Sequence, residues 1–240
     1  MMIAMEWHAE GILLGTRRHG EQAAILDLFT ANHGRHLGVL RGGASRKSAP
    51  FLQPGTQVQA TWRARLDSHM GVYTVEPMRG RAAHVMHDAV ALAGLAAVCA
   101  LLRFALPERQ AHPVLYAHSL AILDGLGAPK WAQAYVDWEM ALLDETGFGL
   151  DLGQCAVTGT TEDLAYISPR TGRAVARAAA GIWSHKLLPM PRDVAQGLSV
   201  TGHFLTHHLA PALGNKPLPY ARDRLAAMLV RQAGDDVTRV

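Results

Sequence analysis

Along the first eighty residues apolar and polar positions alternate with a period of two. The pattern is sharpest over residues 56–66, where Val58, Ala60, Trp62, Ala64 and Leu66 alternate with Gln57, Gln59, Thr61, Arg63 and Arg65. Successive strand side chains point to opposite faces, so this segment predicts a strand with one face in a core and the other polar and basic. Residues 11–15, 23–30, 35–41 and 71–76 read as further strands, with a polar loop over 16–21 and an end at Pro77. Asn32-His33-Gly34 supplies a turn, because Asn and Gly tolerate positive φ. Five short strands with Gly-rich connections predict a small closed barrel of the OB-fold type.

After Gly80 the period becomes helical. Residues 83–105 predict one long helix, 114–126 a second behind Pro107 and Pro113, and 130–146 a third that Gly147 stops. Residues 149–181 are irregular, with a hairpin around 164–175, and helices over 192–213 and 219–232 close the chain. The expected architecture is α+β and multidomain: an OB-fold domain over 1–80, then a mainly helical domain over 81–240 with the irregular insertion at about 149–181. Met1 to Ala4 read as a loose start ahead of Met5, a second candidate initiator.

Composition narrows the class. With 49% hydrophobic and 18% charged residues in 240, the chain is globular and can bury a sizeable core. Its longest apolar run, 89–102, lies between Asp88 and Arg103 and falls short of the ~17–25 residues that cross a bilayer. No basic-then-apolar leader precedes it, so a soluble protein without membrane contact is expected. Cys99 and Cys155 form no CxxC pair, which argues against a disulfide framework and suits a reducing cytoplasm. The formal net charge is only +3, yet residues 1–81 hold ten Lys and Arg against six Asp and Glu, whereas the remainder holds thirteen against fourteen. A positive field confined to the first third suits a polyanionic partner.

The segment Arg41-Gly42-Gly43-Ala44-Ser45-Arg46-Lys47-Ser48 concentrates that charge. It is not a P-loop, because Arg46 stands where Gly must precede the Lys. What remains is a glycine-loosened basic loop whose cations and Ser hydroxyls can follow a phosphodiester chain, the alternative being an ordinary solvated loop. Arg63 and Arg65 project from the neighbouring strand, and Arg17, Arg18 and Arg35 extend the patch. Of Trp7, Phe29, Phe51, Trp62 and Tyr73, the pattern sends Trp62 and Phe29 inward, so binding is expected to be electrostatic and tolerant of sequence. His203, His207 and His208 share a helical stretch, but Phe204 follows the first where a zinc protease needs Glu. They read as a surface cluster, as do His84 and His87. No nucleophile elbow, ligase signature or clustered carboxylate set occurs; Asp144-Glu145 and Asp235-Asp236 read as solvation of a helix end and a tail. The expectation is therefore no catalytic centre and no cofactor.

In order and spacing these landmarks resemble the RecO family of bacterial recombination mediators. The resemblance rests on Gly11-Ile12-Leu13-Leu14, Arg17 to Glu21, Leu28-Phe29-Thr30 with His33-Gly34, Arg41 to Ser48, Leu52-Gln53-Pro54-Gly55 and Trp62-Arg63-Ala64-Arg65. It continues through Glu139 to Leu143, Gly147 to Leu152, Cys155 to Gly159, Tyr166 to Pro169, Gly172 to Val175, and Leu218-Pro219 with Ala221-Arg222. It implies binding of single- and double-stranded DNA, annealing of complementary strands, and work with RecR to load RecA. It also implies docking of the acidic C-terminal tail of the single-stranded-DNA-binding protein on the helical domain, and a cytoplasmic, nucleoid-associated location. Some relatives hold zinc with four cysteines in the inserted region; here only Cys155 stands there, so no metal is expected. Relatives often carry a basic residue before the aromatic of the Glu-x-Ala-Leu-Leu helix, whereas Asp137 precedes Trp138 here. The tail is then expected elsewhere, with Arg103, Arg109 and Lys130 as candidates. Two other readings stay open: a scaffold whose basic barrel meets acidic side chains, and a hydrolase built on His203 and His207.

Overall fold

In the computed structural model, which describes residues 5–66 and 68–238 with side chains through Gly234, the amino-terminal strands are β1 (Met5–His19), β2 (Ala23–Thr30), β3 (Gly34–Leu40), β4 (Gln57–Ala64) and β5 (Val72–Arg79). Met1 to Ala4 and the side chains of Asp235 and Asp236 lie outside the described residues. β1 serves two neighbours: its first half pairs antiparallel with β4, and the stretch from Gly11 onward pairs antiparallel with β2. A bulge between Leu13 and Gly15 bends the strand where the partners change. The strands form a closed barrel in the order β1-β2-β3-β5-β4. Among the described residues its one parallel seam is β3 on β5, with the two pairs Val39–Val72 and Leu40–Tyr73. The polar stretch 16–21, expected as a loop, is strand as far as His19. Backbone pairing with Ala23–Leu26 holds it there, and such pairing leaves no apolar alternation in the sequence.

Leu13, Leu26, Leu28, Val58, Ala60, Trp62 and Tyr73 fill the barrel. The alternation read from β4 is reproduced, with Trp62 buried and Arg63 exposed. Two glycines make room for the rings. A Cβ on Gly38 would stand 2.4 Å from the Tyr73 ring, and one on Gly71, where φ is +70°, would stand 2.4 Å from Trp62. Trp62 Nε1 donates to the Met70 carbonyl at 2.9 Å, so even the polar edge of that ring is satisfied.

The helix expected over 83–105 is two: α1 (Ala82–Val85) and α2 (Ala89–Ala105). Asp88 divides them as an N-cap, its side chain accepting from the Val90 and Ala91 amides, a preference that outweighs continued helical apolarity. α2 and α3 (Pro113–Gly125) pack on the barrel, so the first compact unit runs on to Pro129 although strand gives way to helix at Gly80. The buried Arg81 ties them in, donating to Asp124, Gln57 and the Gly55 carbonyl at 2.6, 2.9 and 3.0 Å.

The second unit starts at Lys130. It contains α4 (Trp131–Glu145), β6 (Leu164–Ile167), β7 (Ala174–Ala176), α5 (Arg177–Ala180), β8 (Leu188–Pro189), α6 (Val194–Phe204), α7 (Ala210–Ala212) and α8 (Tyr220–Thr238). The hairpin expected over 164–175 is β6 and β7, with β8 pairing on the other side of β6. In this insertion the Cys155 sulfur accepts from the Ala176 amide at 3.2 Å and packs with Val175 and Ala180. A set of four thiolates cannot be assembled around it, so the residues do not fit the zinc site of some relatives. Between α6 and α7, residues 205–209 form a π-helical turn that interrupts the helix expected over 192–213.

A buried polar network crosses the apolar core of this unit. Glu139 is fully buried and accepts from Arg222 Nε and Nη2 at 3.0 and 3.1 Å, from the Tyr135 hydroxyl at 2.8 Å, and from Thr201 Oγ1. One carboxylate so joins α4, α6 and α8. Replacing Glu139 with Ala strands a buried guanidinium, so unfolding free energy is expected to fall by about 3–5 kcal/mol. Urea denaturation of the full chain checks this, and an unshifted midpoint would contradict it.

Candidate nucleic-acid interface

Arg41 follows β3 directly, and the chain turns tightly through Gly42, where φ is +72°. Gly43 is buried against β2: its absent Cβ would stand 2.8 Å from the Ala24 Cβ. The Ala44 amide donates to the Gln22 carbonyl at 3.2 Å, which fastens the loop to the β1–β2 turn. The hydroxyls expected to be free for phosphate are engaged within the loop. Ser48 Oγ donates to the Gly42 carbonyl at 3.1 Å and lies 3.0 Å from Ser45 Oγ. The loop is therefore shaped by its own hydrogen bonds, and its cations are what it presents. Arg41, Arg46 and Lys47 are exposed, and their side chains have no ion pair or hydrogen bond among the described residues.

The β1–β2 pairing brings two more cations to this end. Arg17 stands opposite Ile25 and Arg18 opposite Ala24, the residue that Gly43 packs on. Arg17 is exposed with no partner among the described residues, and Arg18 reaches the Glu21 carbonyl at 3.5 Å. Arg41, Arg46, Lys47, Arg17 and Arg18 thus belong to one end of the barrel.

Arg63 and Arg65 leave β4 toward β5. The register sets Arg63 beside Val72, and Val72 beside Val39, two residues before Arg41. Arg65 is exposed and unpaired among the described residues, whereas Arg63 faces Glu6 across the β1–β4 ladder. Its Nε and Nη2 lie 2.8 and 2.9 Å from the two carboxylate oxygens. That hydrogen bond, foremost, holds the Glu6 carboxyl below the usual carboxylate range. Arg35 departs further from the expected patch. It lies within β3, half-buried, gripping the nearly buried Asp27 through Nε and Nη2 at 2.9 Å each and the Leu106 carbonyl through Nη1 at 3.2 Å.

Of the three residues considered for an acidic tail, two belong to the first unit and are engaged there. Arg103 on α2 donates from Nε to Asp27 at 3.2 Å. Arg109, at φ +65°, donates to the His69 carbonyl at 2.8 Å and lies 5.9 Å from the Trp62 ring centroid. Lys130 precedes α4 in the second unit, also with positive φ. Of the histidines, His203 and His208 both direct Nε2 at the Pro169 carbonyl, at 3.2 and 2.8 Å. The π-helical turn sets residues five apart on one side, which accounts for their convergence. A carbonyl only accepts, so both rings act as donors clamping a loop.

Sequence reasoning missed Glu6, Asp27 and an aromatic ladder. Trp7 is stacked between His33, at 4.3 Å and 10°, and Trp62, at 5.9 Å and 16°. Asp27 carried a signal, a carboxylate inside the apolar run Ile25-Leu26-Asp27-Leu28-Phe29. Glu6 carried none, because only the register reveals its place opposite Arg63.

A family model described as Recombination protein O N terminal matches residues 2–81, and one described as Recombination protein O C terminal matches 86–217. A DNA repair protein RecO from Jannaschia sp. (strain CCS1) is 65% identical over 238 residues, covering 95% of this chain and 98% of that one. The DNA repair protein RecO of Cereibacter sphaeroides (strain ATCC 17029 / ATH 2.4.9) is 57% identical, covering 95% and 99%, and that of Dinoroseobacter shibae 56%, with the same coverage.

The Glu6–Arg63 pair is exposed and contributes little to stability. Glu6→Gln is expected to leave the melting temperature near wild type while releasing one cation. The variant should elute from a polyanion column at higher salt, and elution at unchanged salt would place Arg63 outside the interface.

Proposed function

The chain belongs to the RecO family of DNA repair proteins, and from that premise we propose that it is a non-enzymatic recombination mediator that binds single- and double-stranded DNA and anneals complementary strands. In this reading the barrel is an OB-fold and residues 1–80 are the strand-binding domain, followed by a helical domain over 81–240. The observation that carries it is the loop at residues 41–48, fastened to the β1–β2 turn, with Arg41, Arg46 and Lys47 exposed and unpaired among the described residues beside Arg17 and Arg18. Two DNA strands repel through their phosphates. Guanidinium and ammonium groups held on a firm loop lower that repulsion and release counterions, without any bond being made or broken. Arg41, Arg46, Lys47 and Arg65 contact phosphate directly, and Arg63 adds its charge when Glu6 yields it.

Partnership with RecR, loading of RecA, docking of the acidic tail of the single-stranded-DNA-binding protein, and action in the cytoplasm at the nucleoid belong to the same proposal. At the helix position where relatives favour a basic residue, Asp137 is exposed and accepts from Gln133 at 3.0 Å, and it would repel an acidic tail. Among the described residues no helix is long and apolar enough to cross a membrane.

Annealing of complementary oligonucleotides by wild type and by the Arg46→Ala, Lys47→Ala double variant tests the proposal. Removing two phosphate contacts should slow annealing and flatten the log–log salt dependence of single-strand affinity by about 1.4, at ~0.7 per phosphate. Equal annealing rates and equal slopes would refute it.

A further inference from the structure

On the outside of the barrel, against α2, lies a pocket whose lining includes Gly15, Arg17, Asp27, Arg35 and Arg103. Three guanidinium groups meet one carboxylate there, so the formal charge of the lining is strongly positive. The nitrogens are not equally occupied. All three of Arg35 are spent, two on Asp27 and one on the Leu106 carbonyl. Arg103 uses only Nε on Asp27, and its Nη1 and Nη2 have no hydrogen-bond partner among the described residues. Arg17 is wholly unpaired among the described residues. Gly15 lets the Arg103 guanidinium lie against the β1 backbone, since a Cβ there would stand 2.9 Å from Nη1. Asp27, with only 7% of its side chain accessible, orients Arg35 and Arg103 and has little capacity left for further donors.

We propose that Arg17 and the free edge of Arg103 form a subsite for one DNA phosphodiester, with Asp27 as a positioning residue. Such a group offers two non-bridging oxygens and a single charge, which match two guanidinium edges. Position favours DNA over an acidic peptide. Arg17 lines the pocket, and β1 runs on from it into the turn at Gln22, whose carbonyl holds the Ala44 amide of the basic loop. The pocket and the exposed Arg41, Arg46 and Lys47 thus flank the same end of the barrel, where one extended strand can meet both. The inference rests on the strand-binding reading of the barrel and adds to it a residue from α2.

The test uses the full chain and a thymidine oligonucleotide, and compares wild type with Arg17→Gln, Arg103→Gln. Loss of one phosphate contact should reduce the salt slope by about 0.7, which at 0.1 M salt weakens binding about fivefold. Independently of how the variant folds, phenylglyoxal modification of wild type read by mass spectrometry should show Arg17 and Arg103 protected by saturating oligonucleotide. Undiminished Arg103 reactivity, while Arg46→Ala, Lys47→Ala still weakens binding, overturns the subsite and leaves the strand-binding reading standing. Protection by an acidic peptide and not by oligonucleotide overturns it in favour of a protein partner. Absence of salt-dependent oligonucleotide binding by wild type overturns both.

Discussion

A carboxylate in the middle of an apolar strand must be paired, and the pairing of Asp27 organises the amino-terminal unit. Solvent is largely excluded from it, so the cost of stripping its water has to be met by several well-aimed donors. Arg35 supplies them from the neighbouring strand and Arg103 from α2, and the Leu106 carbonyl beyond α2 takes what Arg35 has left. A strand, its neighbour and a helix are thereby fixed to one another. On the opposite route from barrel to helix, Arg81 does the same with Asp124, Gln57 and Gly55. Charge in this unit has thus been divided between holding the fold and facing outward.

That division explains why a modest net charge suits a polyanion. Arg35 and Arg81 are consumed internally, and Arg63 is half-claimed by Glu6. Arg17, Arg41, Arg46, Lys47 and Arg65 remain exposed without partners among the described residues. Ions held apart on firm backbone lose little freedom when they meet phosphate, and being open to water they respond to salt. The loop at 41–48 adds firmness through Ser45 and Ser48, whose hydroxyls shape the turn and are not spent on a ligand.

Much of this was legible in the sequence because it depends on local period. The alternation from Gln57 to Ala64 set the face of β4, and the apolar runs marked α2, α3 and α4. What period cannot encode is partnership across the chain. Thr16 to His19 looked like a loop because their strand character comes from β2. Arg35 looked like a free cation because Asp27 is eight residues away in sequence and adjacent only across a ladder. The break at Asp88 could be read as a cap only with the preceding residues known to leave the helix. Of the candidate interface, the basic loop was visible and its link to Arg17 and Arg18 was not, since the Ala44–Gln22 hydrogen bond joins segments that no motif connects.

The barrel is stitched unevenly. Its antiparallel seams run for seven or eight pairs, whereas β3 and β5 share two. Arg41 hangs from the sparse edge, and few backbone bonds need break for that edge to part. The wall is therefore most readily parted beside Arg41, while the long seams hold the rest of the hoop together.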